Sequence, residues 1–136
     1  MEGAPVILLD THALVWMVAE PHRLSRPAVA AIRTARASGG LAIASITLWE
    51  LAVLFARGRL RAYGPVDASV QLVVTSSGVA VRPITPMIAA LATQFPDDYP
   101  RDPADRLIGA TARAEGLPLV TRDKLVRASP LLKTIW

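Results

Sequence analysis

The chain contains no cysteine and only two lysines, Lys124 and Lys133. Without thiols it can form neither disulfides nor thiolate metal sites, and it suits a reducing, cytoplasmic setting. Aromatic residues make up 5% and charged residues 19% of the sequence. The first figure leaves no stacking platform for nucleic-acid bases, and the second argues against a disordered chain. No apolar run approaches the ~20 residues needed to cross a bilayer. No charged segment followed by an apolar one opens the chain, so neither a membrane span nor a secretory signal is predicted. Neither a GxGxxG pattern nor a Walker loop occurs, which leaves nucleotide binding by those routes without support.

What is present points to a packed α/β fold. The sequence is 136 residues long and 52% hydrophobic, enough for one core, and residues 1–136 read as a single domain. No repeat, low-complexity stretch or linker divides it. The net charge is +4, and arginine carries nearly all of the positive charge. Guanidinium groups pair bidentately with phosphate and carboxylate, so a nucleic acid or an acidic protein is a natural partner. GC-rich codon usage would give the same arginine excess.

Short apolar runs alternate with helical stretches. Strands are expected at Val6–Leu9, Leu41–Ala44, Val79–Arg82 and Leu119–Thr121, with a fifth at the edge over Leu131–Ile135. Helices are expected over Thr11–Ala19, from Ser25 to about Ala37, over Thr47–Ala56 and Asp67–Ser76, from Pro86 to about Gln94, and from Pro103 to Gly116. Ser25, Thr85 and Asp102 are candidate N-caps, and prolines lie in the first turns that follow. Continuously apolar strands separated by helices imply a parallel sheet covered on both faces, a three-layer α/β sandwich with four to five short strands. Ligands bind such sheets outside the carboxyl ends of the strands.

Four of the eleven acidic residues fall where that rule points. Asp10 follows the first strand and Asp123 the fourth. Asp105 lies in the first turn of a helix, and Glu50 on the helix that leaves the second strand. Asp10 also suits a helix cap, Asp102 with Asp105 makes a good helix start, and Asp123 suits a turn. Glu50 is harder to explain. Ile46, Thr47, Val53 and Leu54 share its stripe on an almost wholly apolar helix. A buried carboxylate there needs an arginine partner or a cation. If Asp10, Glu50, Asp105 and Asp123 converge, their repulsion calls for hard divalent ions with oxygen ligands, Mg²⁺ or Mn²⁺. One or two such ions would activate water and stabilise a phosphodiester displacement. An acidic pit in a basic protein is consistent with a metal-dependent nuclease.

The segments Leu8-Leu9-Asp10-Thr11-His12, Ser45-Ile46-Thr47-Leu48-Trp49-Glu50-Leu51, Asp102-Pro103-Ala104-Asp105-Arg106-Leu107-Ile108 and Leu119-Val120-Thr121-Arg122-Asp123 resemble the four acidic motifs of PIN domains. More narrowly they resemble VapC-type toxins of bacterial type II toxin–antitoxin pairs. The resemblance spans nearly the whole chain in the same order. It implies a Mg²⁺- or Mn²⁺-dependent endoribonuclease acting on structured RNA such as tRNA or rRNA. By the same resemblance Asp10, Glu50, Asp105 and Asp123 are catalytic metal ligands, Asp102 is an additional ligand candidate, and Thr11 and Thr121 support the acids. It further implies a homodimer neutralised by a cognate antitoxin.

Arg57, Arg59 and Arg61 are candidates for RNA or antitoxin contact, or a solvated helix end. Arg106 and Arg122, each beside an acid, would pair with a carboxylate or with RNA phosphate. His12 is expected to serve in packing or behind the acids, His22 to be exposed, and Trp16 and Trp49 to lie in the core. A haloacid dehalogenase-like phosphatase would need a second Asp where His12 stands, and a response-regulator receiver would need adjacent acids where Asp10 stands alone. A non-catalytic RNA-binding or protein-interaction module has little reason to bury Glu50.

Overall fold

The protein is described from a computed structural model, which describes residues 6–136. Five parallel strands, β1 (Ile7–Leu9), β2 (Leu41–Ala44), β3 (Ala80–Arg82), β4 (Leu119–Val120) and β5 (Thr134–Ile135), form one sheet in the order β3-β2-β1-β4-β5. The helices are α1 (Thr11–Ala19), α2 (Arg26–Thr34), α3 (Ile46–Ala56), α4 (Val66–Ser77), α5 (Pro86–Ala92), α6 (Pro103–Glu115) and α7 (Lys124–Arg127). Pro21–Arg23 forms a 3₁₀ turn, and Ala35–Gly39 widens α2 into a π-helical turn that ends at Gly40, with φ 110°.

Side chains alternate across each strand, so neighbouring residues feed different cores. Ile7, Leu9 and Ile43 join residues of α1, α2, α3 and α4 on one face of the sheet. Leu8, Ala42 and Ala44 join residues of α5, α6 and α7 on the other. This is the expected three-layer sandwich. The central strands β1 and β2 are buried throughout, as continuous apolar runs require.

The differences are local. The edge strand β5 covers only Thr134–Ile135, because Leu119 and Val120 of the short β4 give it just two partners. A short helix, α7, begins at Lys124 after β4, and Asp123, expected in a turn, is its N-cap. Trp49 is not a core residue: it is 62% exposed, on the outer side of α3. Trp16 is buried as expected, and His22 is exposed. Among the described residues no helix is long and apolar enough to cross a membrane.

Candidate active site

A cavity of about 450 Å³ opens at the carboxyl ends of β1 and β4. Asp10, Glu50, Asp102, Asp105 and Asp123 all line it, together with Thr11 and Thr121. Every acid singled out in the sequence therefore reaches one place.

Local structure explains how each gets there. The Asp10 N–H donates to the Val120 carbonyl at 3.1 Å, which ties the end of β1 to β4. Asp10 Oδ1 accepts from the Ala13 N–H at 2.8 Å and caps α1. Asp102 Oδ1 accepts from the Ala104 N–H at 2.8 Å and caps α6. Asp105 stands in the first turn of α6, where the helix dipole favours a carboxylate. Asp123 Oδ1 accepts from the Leu125 N–H at 2.8 Å and the Val126 N–H at 3.1 Å, and caps α7. The capping explanations are thus correct for Asp10 and Asp102, and Asp123, expected in a turn, is a cap as well. They do not compete with a role in the cavity, since each cap uses one carboxylate oxygen.

Glu50 has no arginine partner among the described residues. Its Oε1 accepts from the Thr11 hydroxyl at 2.5 Å, and that hydroxyl lies 3.0 Å from the fully buried hydroxyl of Thr47. Burial pushes the Glu50 carboxyl up; Thr11 opposes this, and the negative charge of Asp102 adds to it. Asp10 is likewise raised by burial, against the Thr121 hydroxyl and the Ala13 N–H. Among the described residues none donates a hydrogen bond to the Asp105 carboxyl. Burial first, and then the charges of Asp102, Glu50, Asp123 and Asp10, raise its carboxyl to about 7. Thr121, almost fully buried, also accepts from the Asp123 N–H at 3.1 Å. The two threonines sit where supporting residues were expected.

The donor set suits a hard divalent cation. The acids and threonines of the cavity offer oxygen, with no thiolate. Burial raises Asp105 most, and the repulsion that adds to it is what a cation would relieve. Among the described residues no three acidic or imidazole groups are gathered closely enough to ligate an ion as they stand. Ligation would therefore draw side chains inward.

The arginines separate into three groups. Arg57, Arg59 and Arg61 are exposed and none lines the cavity. Among the described residues Arg106 forms no ion pair with an acid. Its guanidinium donates to the carbonyls of Pro100 at 2.9 Å, Phe95 at 3.3 Å and Pro96 at 3.5 Å, strapping the loop before α6. Arg122 is exposed and lines the cavity beside Lys124.

Tyr99 is a cavity residue that sequence reasoning missed, since its segment reads as a proline-rich loop. It is 2% exposed, stacks on Phe95 at 4.0 Å, and donates from its hydroxyl to the Asp105 carbonyl at 3.2 Å. Burial pushes its phenol well above the usual range. The signal was Gly109, inside α6: a Cβ there would stand 2.3 Å from the Tyr99 hydroxyl oxygen. A glycine within a helix marks such a close approach.

The chain is similar to known proteins. A family model for the PIN domain matches residues 7–128. Ribonuclease VapC22 of Mycobacterium tuberculosis is 42% identical over 132 residues, which cover 96% of this chain and 98% of that one. Among solved structures, DNA-bound VapBC from Salmonella typhimurium is similar with a TM-score of 0.69 at 19% identity, covering 96% of each chain. VapBC2 from Rickettsia felis, bound to a promoter DNA fragment, has a TM-score of 0.67 at 16% identity, over 95% of this chain and 96% of that one. These two likenesses concern the fold. The family match over most of the length, together with the relative at 42% identity, shows that the chain belongs to the PIN-domain family.

Proposed function

We propose that this protein is a metal-dependent endoribonuclease, the toxin of a toxin–antitoxin pair, cleaving structured RNA such as tRNA or rRNA in the cytoplasm as a single PIN-like domain. One observation carries the reading: Asp10, Glu50, Asp102, Asp105 and Asp123, drawn from distant parts of the chain, line one cavity at the strand ends. PIN-domain ribonucleases depend in general on divalent metal, and the relative at 42% identity is named a ribonuclease.

In this reading Asp10, Glu50, Asp105 and Asp123 hold Mg²⁺ or Mn²⁺, with Asp102 as a further ligand. Bound there, such an ion would supply polarisation of a phosphodiester and a better water nucleophile at neutral pH. The protein's own groups fix the geometry. Thr11 holds Glu50 against α1, and Thr121 orients Asp10 and the backbone of Asp123. The caps made by Asp10, Asp102 and Asp123 fix their carboxylates on helix ends rather than on mobile loops. The net charge of +4 favours a polyanion outside the pit.

An antitoxin and a second copy of the chain are the proposed protein partners. One similar solved structure is a toxin–antitoxin complex from Klebsiella pneumoniae. Exposed Trp49 and an apolar groove lined by Leu48, Ala52, Val66, Val70, Val74 and Val81 offer surface for such contacts.

The test compares wild type with Glu50→Gln on total RNA, each with Mg²⁺ or Mn²⁺ and with EDTA, after checking both folds by circular dichroism. Discrete cleavage by wild type alone, abolished by EDTA, is expected. Equal cleavage by both proteins would place the activity elsewhere.

A further inference from the structure

The cavity has a second wall of different chemistry. His12, Trp16, Arg122 and Lys124 line it beside the acids. Trp16 is its hub. The indole is only 8% exposed, and its ring lies 5.8 Å from the His12 ring and 5.8 Å from the Trp136 ring. The Arg122 guanidinium carbon lies 5.8 Å from its centroid, and that of Arg23 lies 5.7 Å away. Indole is the aromatic face that attracts cations most strongly. A guanidinium laid on such a face loses less freedom when it later grips an oxyanion.

These cations do not neutralise the acids. Among the described residues no ion pair joins Arg122 or Lys124 to Asp10, Glu50, Asp105 or Asp123. Arg122 makes no side-chain hydrogen bond there either, although Asp123 is its neighbour in sequence. Arg23 has only an exposed contact with Glu20 at 3.6 Å. A basic group satisfied within the fold, as Arg106 is, has carbonyl or carboxylate partners. One held beside the acids on an aromatic ring is left for a different anion.

We propose that Arg122, seated on Trp16, is the principal contact of a phosphate-gripping wall that also includes His12, Lys124 and, outside the cavity, Arg23. This wall holds the RNA strand next to the phosphate being cleaved, and it rests on the ribonuclease reading of the same cavity. Guanidinium matches phosphate bidentately. The wall adjoins the acidic floor, so a strand cleaved at the floor has to pass it. Trp16 is a positioning residue: it acts through Arg122 and His12.

The test uses a fluorescein-labelled tRNA transcript and fluorescence anisotropy in Mg²⁺ over a KCl series. All proteins carry Glu50→Gln, so that the probe stays intact. Adding Arg122→Gln is expected to weaken binding roughly tenfold and to lower the salt slope by about 0.7–0.9, the loss of one phosphate contact. Adding Arg33→Gln, an exposed change on α2 away from the cavity, is expected to stay within about twofold. Trp16→Phe keeps a buried ring and should fall between them. In the otherwise wild-type enzyme, Arg122→Gln and Trp16→Phe should raise KM and leave kcat nearly unchanged, as loss of uniform binding does. Unchanged affinity and slope in Arg122→Gln would overturn the proposal and leave the wall to an acidic protein segment. An equal loss in Arg33→Gln would overturn it as well. If the parent protein bound no RNA at any salt, the ribonuclease reading itself would fall, and the wall with it.

Discussion

Two clusters of like charge lie in this molecule and have opposite origins. Arg57, Arg59 and Arg61 are neighbours in sequence, exposed, and apart from the cavity. Asp10, Glu50, Asp102, Asp105 and Asp123 are scattered along the chain and meet in a partly buried cavity. Like charges beside one another in water repel weakly and are screened by salt. In the cavity burial, and after it the neighbouring negative charges, carry the Asp105 carboxyl to about 7. The proposed metal-binding role would account for an arrangement that works against folding in this way.

The comparison can be broken by mutation. The largest effect is expected from Asp105→Asn or Glu50→Gln, at least a hundredfold (~100) loss of RNA cleavage in a gel assay with the fold intact. Comparable loss from a change in the arginine cluster would erase the distinction between the two regions. Next comes the frame behind the acids. Gly109→Ala forces a Cβ against the Tyr99 hydroxyl, so it should destabilise the protein by about 1–3 kcal/mol in a urea titration. Because Tyr99 touches the Asp105 backbone, cleavage should fall as well.

A smaller effect is expected from pH. Folding raises the Asp105 carboxyl from 3.8 to about 7, so across that window the folded state binds more protons than the unfolded one. Its contribution to stability is present at low pH and lost as pH rises toward 7. In EDTA the melting temperature should fall between pH 5 and pH 7.5 by more in wild type than in Asp105→Asn, and Mn²⁺ should shrink the difference. An equal fall in both proteins would show that Asp105 is not the strained group. The smallest effect is expected from replacing Arg57, Arg59 and Arg61 together by Gln: cleavage within about threefold of wild type and stability within ~0.5 kcal/mol.

Much of this was legible in the sequence, because strand ends and helix starts are local features. The apolar runs at Leu8 and Ile43, the caps at Ser25 and Thr85, and the acids after β1 and β4 needed no tertiary information. What was missed depended on distance in space. Trp49 lies on an apolar helix, but nothing in its neighbours says which side α3 turns outward. Arg106 stands beside Asp105 in sequence yet reaches back to the carbonyls of Phe95, Pro96 and Pro100. Tyr99 belongs to the site only because Gly109 leaves room for it. Trp16 was correctly placed in the core, but its second role, holding Arg122 and His12 at the cavity, appears only when β4 returns beside β1.

The most direct test of the acidic site is a calorimetric titration of metal-free protein with Mn²⁺ near pH 7, in two buffers of different ionisation enthalpy. Wild type should bind the ion and release protons on doing so, because Asp105 is about half protonated there. Asp105→Asn should bind more weakly and release fewer. Absence of binding by wild type, or identical binding and proton release in both proteins, would contradict the account.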